Sequence, residues 1–147
     1  MNLALEQARK AAAKGEVPVG SVVVSETGSI LGTGHNEPLA GHDPTAHAEI
    51  RALRRAALSR RNYRLLDSTI YVTMEPCIMC VGALLCARVK RLVFGARDHR
   101  FGAVESMHRL LYDRRLNHEV EVIEGILEAE CADLLTSFFH DKRSPRT

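Results

Sequence analysis

Two cysteines three residues apart, Cys77 and Cys80, open an apolar stretch that has the pattern of a helix. This spacing puts both sulfurs on one side of one helical turn, and the N-terminal end of a helix favours thiolate over thiol. With a histidine from elsewhere in the chain, the pair would supply three ligands for a zinc ion. On its own, the pair also fits a redox dithiol or half of a closed structural zinc site.

A carboxylate stands in an unexpected place in the stretch HAEIRALRRA, residues 47–56. At about 100° of turn per residue, Glu49 falls on the same helical face as Ile50 and Leu53. A charged group among aliphatic side chains is unfavourable unless something uses or compensates it. Two explanations remain open: Glu49 takes part in chemistry, or it pairs with an arginine such as Arg54.

The wider pattern connects these two stretches. The sequence H-A-E, beginning at His47, is followed by P-C-I-M-C, and together they match the H-x-E…P-C-x-x-C signature of zinc deaminases. One helix and one strand lie between His47 and Cys77, so two helix starts can meet at the same sheet edge. We expect His47 in the first turn of its helix, aimed back at the cysteines, with Glu49 leaning over the metal. Because the sequence has no second C-x-x-C or C-x-x-H motif, three protein ligands leave a fourth position for water, as in catalytic sites.

Helical and strand patterns alternate along the chain. Helices are predicted at 3–14, 45–59, 77–88 and 126–142, strands at 68–73, 91–96 and 120–125, and a hairpin at 19–35. Residues 36–44 are a predicted loop, and 97–118 a longer loop-like segment with a short helix at 106–113. Short β-branched runs between helices are typical of a sheet covered on both faces. We therefore expect one α/β domain spanning residues 1–147.

Composition narrows the class of protein. The chain has 147 residues, 46% of them apolar, a formal net charge of +2 and no apolar run long enough for a bilayer. Its first twenty residues lack the basic start and apolar middle of a signal peptide, so we expect a cytoplasmic protein without a membrane partner. Four cysteines do not make a disulfide framework, and Cys86 and Cys131 are expected to be buried and inert. Arginines cluster at 51–64 and 97–115, which fits either solvated faces or a surface for a polyanion.

Beyond the zinc motif, the chain resembles the bacterial tRNA adenosine deaminase family over nearly its whole length. The segments that carry the resemblance are, in order, GEVPVGSVVV, HNEP, HDPTAHAEIRAL, NYRLLDSTIYVTMEPCIMCVGAL, RVKRLVFGARD, NHEVEVIEGIL and EC..LL..FF. The zinc motif marks only the wider superfamily. FGARD and the FF with basic residues in the last helix point to the branch that acts on tRNA.

The resemblance implies a three-layer α-β-α, cytidine-deaminase-like fold with a mixed central sheet of about five strands. It implies hydrolytic deamination of adenosine to inosine at the wobble position of the anticodon of an arginine tRNA. One zinc ion per subunit would be bound by His47, Cys77 and Cys80, and Glu49 would shuttle protons. Members of the family are homodimers, with the site near the subunit interface.

The same resemblance implies further residues that meet RNA. Asn36 would hydrogen-bond the flipped nucleoside, and Asp98 would contact the ribose and backbone beside it, with Arg100 supplying a nearby charge. The last helix would lie beside the anticodon loop through Phe138, Phe139, Lys142 and Arg143. We expect one of the two adjacent rings to join the core and the other to stack. After FGARD the chain departs from the family pattern and continues HRFGAVES, where a lysine and then Thr-Gly are usual.

Two other functions fit parts of the pattern. The zinc motif permits a deaminase of a free base or nucleoside, such as cytosine, cytidine or guanine, although FGARD and the last helix argue against it by resemblance. A non-catalytic, zinc-stabilised RNA-binding module is a candidate of another class. Such a module would need neither Glu49 nor an open metal position.

Overall fold

The computed structural model describes residues 1–144, in which helices and strands alternate much as predicted. The helices are α1 (Asn2–Ala13), α2 (Pro38–Gly41), α3 (Ala48–Arg60), α4 (Ile78–Ala87) and α5 (Glu128–Arg143), and a single 3-10 turn covers Leu110–Tyr112. The strands are β1 (Gly20–Val24), β2 (Ile30–His35), β3 (Thr69–Met74), β4 (Arg91–Ala96) and β5 (Glu121–Glu124). None of these helices is both long and apolar enough to cross a bilayer.

The strands form one mixed sheet in the order β2-β1-β3-β4-β5. Strand β1 pairs antiparallel with β2 and β3, whereas β3, β4 and β5 run parallel. A parallel step needs a crossover connection, which α4 supplies between β3 and β4. Strands β3 and β4 therefore end at the same sheet edge, where Met74 pairs with Ala96. The prediction of a mixed five-stranded sheet is confirmed, and α4 starts from this edge.

Helices cover both faces of the sheet, which confirms the α-β-α prediction. On one face, α3 and α4 bury Ala52 and Val81 against Ile70 of the sheet. On the other face, α1 and α5 meet, and Leu5 and Cys131 are buried there. The two faces thus have separate apolar clusters, and α3 and α4 lie side by side on the first.

Two glycines of β2 allow α3 to lie directly against the sheet. A Cβ atom at Gly32 or Gly34 would overlap the carbonyl oxygens of Ala52 and Ala48, respectively. Both alanines are fully buried. Because no side chain separates β2 from α3, the helix start that follows His47 is held close to the sheet.

Helix α3 begins three residues later than predicted, because the side chain of Asp43 caps a local turn instead of the helix. The Oδ1 atom of Asp43 accepts hydrogen bonds from the Thr45 backbone N–H at 2.8 Å and the Thr45 hydroxyl at 2.7 Å. The N–H of Ala48 is satisfied by the side-chain oxygen of Asn36 at 2.9 Å. His47 therefore keeps an extended backbone (φ −75°, ψ 152°) immediately before the helix.

The short helix α2 lies where a loop was predicted. The carboxylate of Glu16, which is 2% exposed, accepts the N–H of Ala40 at 2.8 Å. The two residues are 24 positions apart, so no local pattern could indicate this bond.

Candidate active site

Three potential metal ligands meet where α3 and α4 begin. His47 directly precedes α3, Cys77 directly precedes α4 with an extended backbone (φ −78°, ψ 175°), and Cys80 lies in the first turn of α4. The Nδ1 atom of His47 lies 3.5 Å from the Cys77 Sγ and 3.6 Å from the Cys80 Sγ. All three ligand atoms lie within 4.8 Å of one another. His47 thus turns back toward the cysteines instead of following the outward course of the helix.

The spacing of these atoms fits a zinc ion. With bonds of about 2.0 Å to nitrogen and 2.3 Å to sulfur, tetrahedral coordination places a nitrogen and a sulfur ligand about 3.5 Å apart. The two nitrogen–sulfur distances agree with that value. Within residues 1–144, only these three residues form such a group. The donor set therefore suits a zinc site with three protein ligands.

The thiol electrostatics also favour a metal. A hydrogen bond from the Cys80 thiol, with a second from His47, lowers the pKa of Cys77 to about 4, so this sulfur is a thiolate at neutral pH. The pKa of Cys80 is raised, because its proton is shared with the Cys77 thiolate and the group is buried. A metal ion would take the place of that shared proton, since only deprotonated thiols act as ligands.

Glu49 lies in the first turn of α3 and is only 4% exposed. Burial raises the pKa of Glu49 to about 7, although a hydrogen bond with Cys80 and the charge of His47 oppose the shift. The alternative ion pair is not formed, because Arg54 lies 4.0 Å from Asp43 instead. A carboxyl group with a pKa near neutrality can both accept and donate a proton, which is what general acid–base catalysis requires.

Asn36 stands beside the three ligands because it caps α3. Its side-chain oxygen accepts the N–H of Ala48, the residue that follows His47. The next residue, Glu37, is held by Lys14 at 2.6 Å and by Arg51 at 2.7 Å. Asn36 is therefore fixed at the rim of the site by its own hydrogen bond and by its neighbour's ion pairs.

Asp98 and Arg100 lie in the segment that follows β4, which passes next to the cysteines. Gly102 of this segment forms an isolated antiparallel bridge with Cys77. The Oδ1 atom of Asp98 accepts the backbone N–H groups of Arg100 at 3.0 Å and Phe101 at 3.2 Å. One carboxylate oxygen of Asp98 thus shapes the turn, and the side chain of Arg100 is exposed.

A second buried carboxylate lies near the ligands and was not anticipated from the sequence. Glu75 is 3% exposed and sits between β3 and the cysteine pair. Burial by itself raises the pKa of Glu75, but hydrogen bonds from Ser106, Glu105 and Asp98 outweigh it and hold the pKa below its ordinary value. The signal in the sequence was a charged residue at the end of an apolar strand, directly before a proline and a cysteine.

The aromatic and basic residues of α5 lie in its last two turns. The rings of Phe138 and Phe139 are 5.4 Å apart in an edge-to-face arrangement, and Phe139 is 42% exposed. The Nζ of Lys142 lies 5.1 Å from the centre of the Phe138 ring and donates a hydrogen bond to the carbonyl of Gly15 at 3.1 Å. Arg143 is exposed. Neither ring belongs to the buried core, so the prediction that one of them joins the core is wrong. The one residue that α5 buries, Cys131, lies in its first turn.

The two remaining cysteines, Cys86 and Cys131, differ in their exposure to solvent. Cys131 is buried as expected, and burial raises its pKa to about 11, which makes it a poor nucleophile. Cys86 is exposed, so the prediction that it is buried is wrong. An apolar stretch alone cannot tell which positions of α4 turn toward the sheet.

The arginine cluster at 51–64 is in part structural. Arg51 pairs with Glu37 and also donates to the carbonyl of His35 at 2.9 Å. Arg55 donates to the carbonyl of Thr33 at 2.8 Å. These two side chains hold α3 against β2, and their charge is therefore not evidence for a polyanion surface.

The layered fold and the His-Cys-Cys group at two helix starts define a zinc-dependent deaminase. Residues 1–96 match the family model described as the cytidine and deoxycytidylate deaminase zinc-binding region. The chain is 51% identical over 146 residues to a tRNA-specific adenosine deaminase of Haemophilus influenzae, an alignment that covers 99% of this chain and 84% of that relative. The chain belongs to the family of tRNA-specific adenosine deaminases.

Another relative and two solved structures are also similar to this chain. A tRNA-specific adenosine deaminase of Bacillus subtilis is 40% identical over 146 residues, covering 99% of this chain and 90% of that one. A structure from a study of A-to-I editing by tRNA:A34 deaminases at the wobble position of transfer RNA superposes with a TM-score of 0.88 at 41% identity, covering 92% of this chain and 97% of that chain. A structure of a guanine deaminase from Nitrosomonas europaea superposes with a TM-score of 0.79 at 27% identity, covering 93% of this chain and 81% of that chain.

Proposed function

We propose that this chain deaminates adenosine to inosine at the wobble position of a tRNA anticodon, with zinc as its cofactor. The observation that carries the chemistry is the meeting of a nitrogen and two sulfur ligands with a buried carboxylate, Glu49, whose pKa lies near neutrality. The choice of RNA as substrate rests on the similarity to tRNA-specific adenosine deaminases along nearly the whole chain.

In this proposal His47, Cys77 and Cys80 hold the zinc ion, which when bound supplies the Lewis acidity that activates water. Glu49 moves the protons. It accepts one from the attacking water, protonates a ring nitrogen and later delivers a proton to the departing amine. Water is consumed and ammonia released, so the base changes from adenine to hypoxanthine without any redox step.

Residues at the rim of the site would hold the nucleotide. Asn36 would hydrogen-bond the flipped nucleoside, Asp98 would contact the ribose and backbone, and Arg100 would lie near a phosphate. Residues of α5 would lie beside the anticodon loop of an arginine tRNA, namely Phe138, Phe139, Lys142 and Arg143. The exposure of Phe139 supports a stacking role, because a base needs an open aromatic face.

We further propose that the protein is a cytoplasmic homodimer with one zinc ion per subunit, each subunit a single deaminase domain spanning residues 1–147. Large apolar side chains beside the site support a subunit interface there. Ile78, in the first turn of α4, is 61% exposed, and Phe101 is 70% exposed. Exposed apolar groups of this kind mark interaction surfaces when they cluster.

The decisive experiment offers the purified zinc protein three substrates in parallel. These are an anticodon stem-loop with adenosine at the wobble position, the same stem-loop with that adenosine moved one position away, and a mixture of free adenosine, cytidine and guanine. We expect inosine only in the first RNA. Turnover of the free compounds alone would overturn the proposal in favour of a free-base or nucleoside deaminase. Binding of the first RNA without any product would favour a non-catalytic module.

A further inference from the structure

The carboxylate of Glu75 is the centre of a dense group of hydrogen bonds. Its Oε2 atom accepts the backbone N–H groups of Val104 at 3.0 Å, Glu105 at 2.8 Å and Ser106 at 3.0 Å. Its Oε1 atom accepts the Asp98 N–H at 3.2 Å and the Ser106 hydroxyl at 2.5 Å. Five donors on one buried carboxylate compensate its loss of hydration.

All five donors come from one stretch of chain, residues 98–106, which we name the flanking segment. These donors lie between 23 and 31 positions after Glu75. The backbone of Glu75 belongs to the sheet instead, because its N–H donates to the carbonyl of Ala96 at 2.8 Å. The Glu75 side chain therefore holds a loop against the sheet edge and makes no hydrogen bond within the sheet.

The flanking segment is also joined to the chain that carries the metal ligands. The N–H of Ala103 donates to the carbonyl of Pro76 at 2.9 Å, and Gly102 bridges Cys77. A Cβ atom at Gly102 would overlap both the carboxylate of Glu75 and the carbonyl oxygen of Asp98. The segment thus packs on the carboxylate so closely that a glycine is required at the point of contact.

We propose that Glu75 is a positioning residue that fixes the flanking segment against the start of α4 and so sets where Asp98 and Arg100 stand relative to the bound nucleotide. The inference rests on the proposed function, since these two residues meet a ribose and phosphate only if the substrate is RNA. All five hydrogen bonds of the Glu75 side chain join it to the flanking segment, and none joins it to His47, Cys77 or Cys80. Glu75 acts through the five hydrogen bonds that hold the segment.

Glu75→Gln tests the inference, because the amide keeps the shape of the side chain but cannot accept at both ends. Its matched control is Glu121→Gln, which alters an exposed carboxylate paired with Arg91 at the surface. Both variants are compared with the wild type, as zinc proteins, in three measurements. These are zinc content, amide hydrogen exchange of residues 98–106, and KM and kcat for the wobble-adenosine stem-loop.

We expect Glu75→Gln to keep its zinc, to exchange the amides of the flanking segment at least about tenfold faster, and to raise KM about tenfold, the size of one lost hydrogen bond to a charged group. The value of kcat should change less than KM. Glu121→Gln should match the wild type throughout. Unchanged exchange in the segment, or a fall in kcat or zinc content with KM unaltered, would overturn the inference and leave Glu75 a structural residue only.

Two further variants reach the same contact by other routes and decide the matter if Glu75→Gln does not fold. Ser106→Ala removes one of the five donors, and Gly102→Ala pushes the segment off the carboxylate without changing its chemistry. Both should speed exchange and raise KM, with the smaller effect for Ser106→Ala; wild-type behaviour in both contradicts the inference. Failure of the proposed function looks different: the wild type would not convert the stem-loop, whereas the exchange measurements would still report on Glu75.

Discussion

Glu49 and Glu75 are two buried carboxylates near the cysteine pair, and their surroundings shift their pKa values in opposite directions. They are 4% and 3% exposed. Burial raises the pKa of Glu49 to about 7, whereas the hydrogen bonds to Glu75 hold its pKa below the ordinary value in spite of burial. Two carboxylates with equally little exposed surface thus have opposite pKa shifts. Burial dominates for Glu49, whereas the donors aimed at Glu75 outweigh the effect of its burial.

The difference follows from the groups that surround each carboxylate. Glu49 lies in the first turn of a helix, and the groups that oppose its shift are Cys80 and His47, which belong to the metal site itself. Glu75 faces a loop whose successive amides, from Val104 to Ser106, all turn toward one oxygen. The first arrangement suits a group that exchanges protons, and the second suits a group that stays charged and holds its neighbours.

The largest effect should come from removing a ligand next to Glu49. Cys80→Ala should lose zinc and all measurable turnover, because two ligands do not retain the ion. Elemental analysis of the purified protein and the stem-loop assay check this. Cys86→Ala is the matched control, since that thiol is exposed and lies in the last turn of α4, at the other end from the ligands, and it should keep both zinc and activity. Metal content unchanged in Cys80→Ala would refute the ligand assignment.

Glu49→Gln should keep zinc and lose the proton transfer. We expect kcat to fall by about 1000-fold, within the range that general acid–base catalysis contributes. The comparison with Glu75→Gln is the informative one, because that variant should change mainly KM. If Glu49→Gln retained a tenth or more of the wild-type kcat, the role of proton carrier would be wrong.

The catalytic group could be predicted from the sequence because its information is local. His47 and Glu49 are two residues apart, Cys77 and Cys80 three apart, and helical periodicity alone marks Glu49 as a charge on an apolar face. Alternating patterns likewise predicted most helices and strands, and the resemblance supplied the layered architecture. These features depend on neighbours in the chain.

The role of Glu75 could not be predicted, because its partners are set by the folded chain. Its donors come from a segment without periodicity, more than twenty positions away. The late start of α3 and the presence of α2 were missed for the same reason, since Asn36 and Glu16 reach their partners across the fold. Buried polar groups that hold loops are therefore the part of this site that a pattern cannot indicate.

The opposite pKa shifts also predict opposite effects on stability, and Glu49 should give the larger one. A carboxyl whose pKa rises from 4.5 to about 7 on folding stabilises the folded protein below pH 4.5 and loses that contribution as the pH rises through 7. The comparison uses metal-free wild type and metal-free Glu49→Gln. The free energy of unfolding of the wild type minus that of the variant should fall by about 3 kcal/mol between pH 4.5 and 8. Urea unfolding at several pH values measures it. If this difference does not change with pH, the pKa of Glu49 is not shifted on folding.

For Glu75 the sign is reversed and the effect is smaller. Its pKa is lowered on folding, so its contribution is present above pH 4.5 and is lost as the pH falls through the folded value. Glu75→Gln should be less stable than the wild type by about 2 kcal/mol at pH 7, because donors that faced a charged oxygen lose it. The gap should close as the pH falls through the folded pKa of Glu75, which lies below the ordinary value, because the wild-type carboxyl then becomes neutral too. A gap that persists at low pH would assign the loss to packing, and Glu75 would then differ from Glu49 in shape and contacts but not in charge.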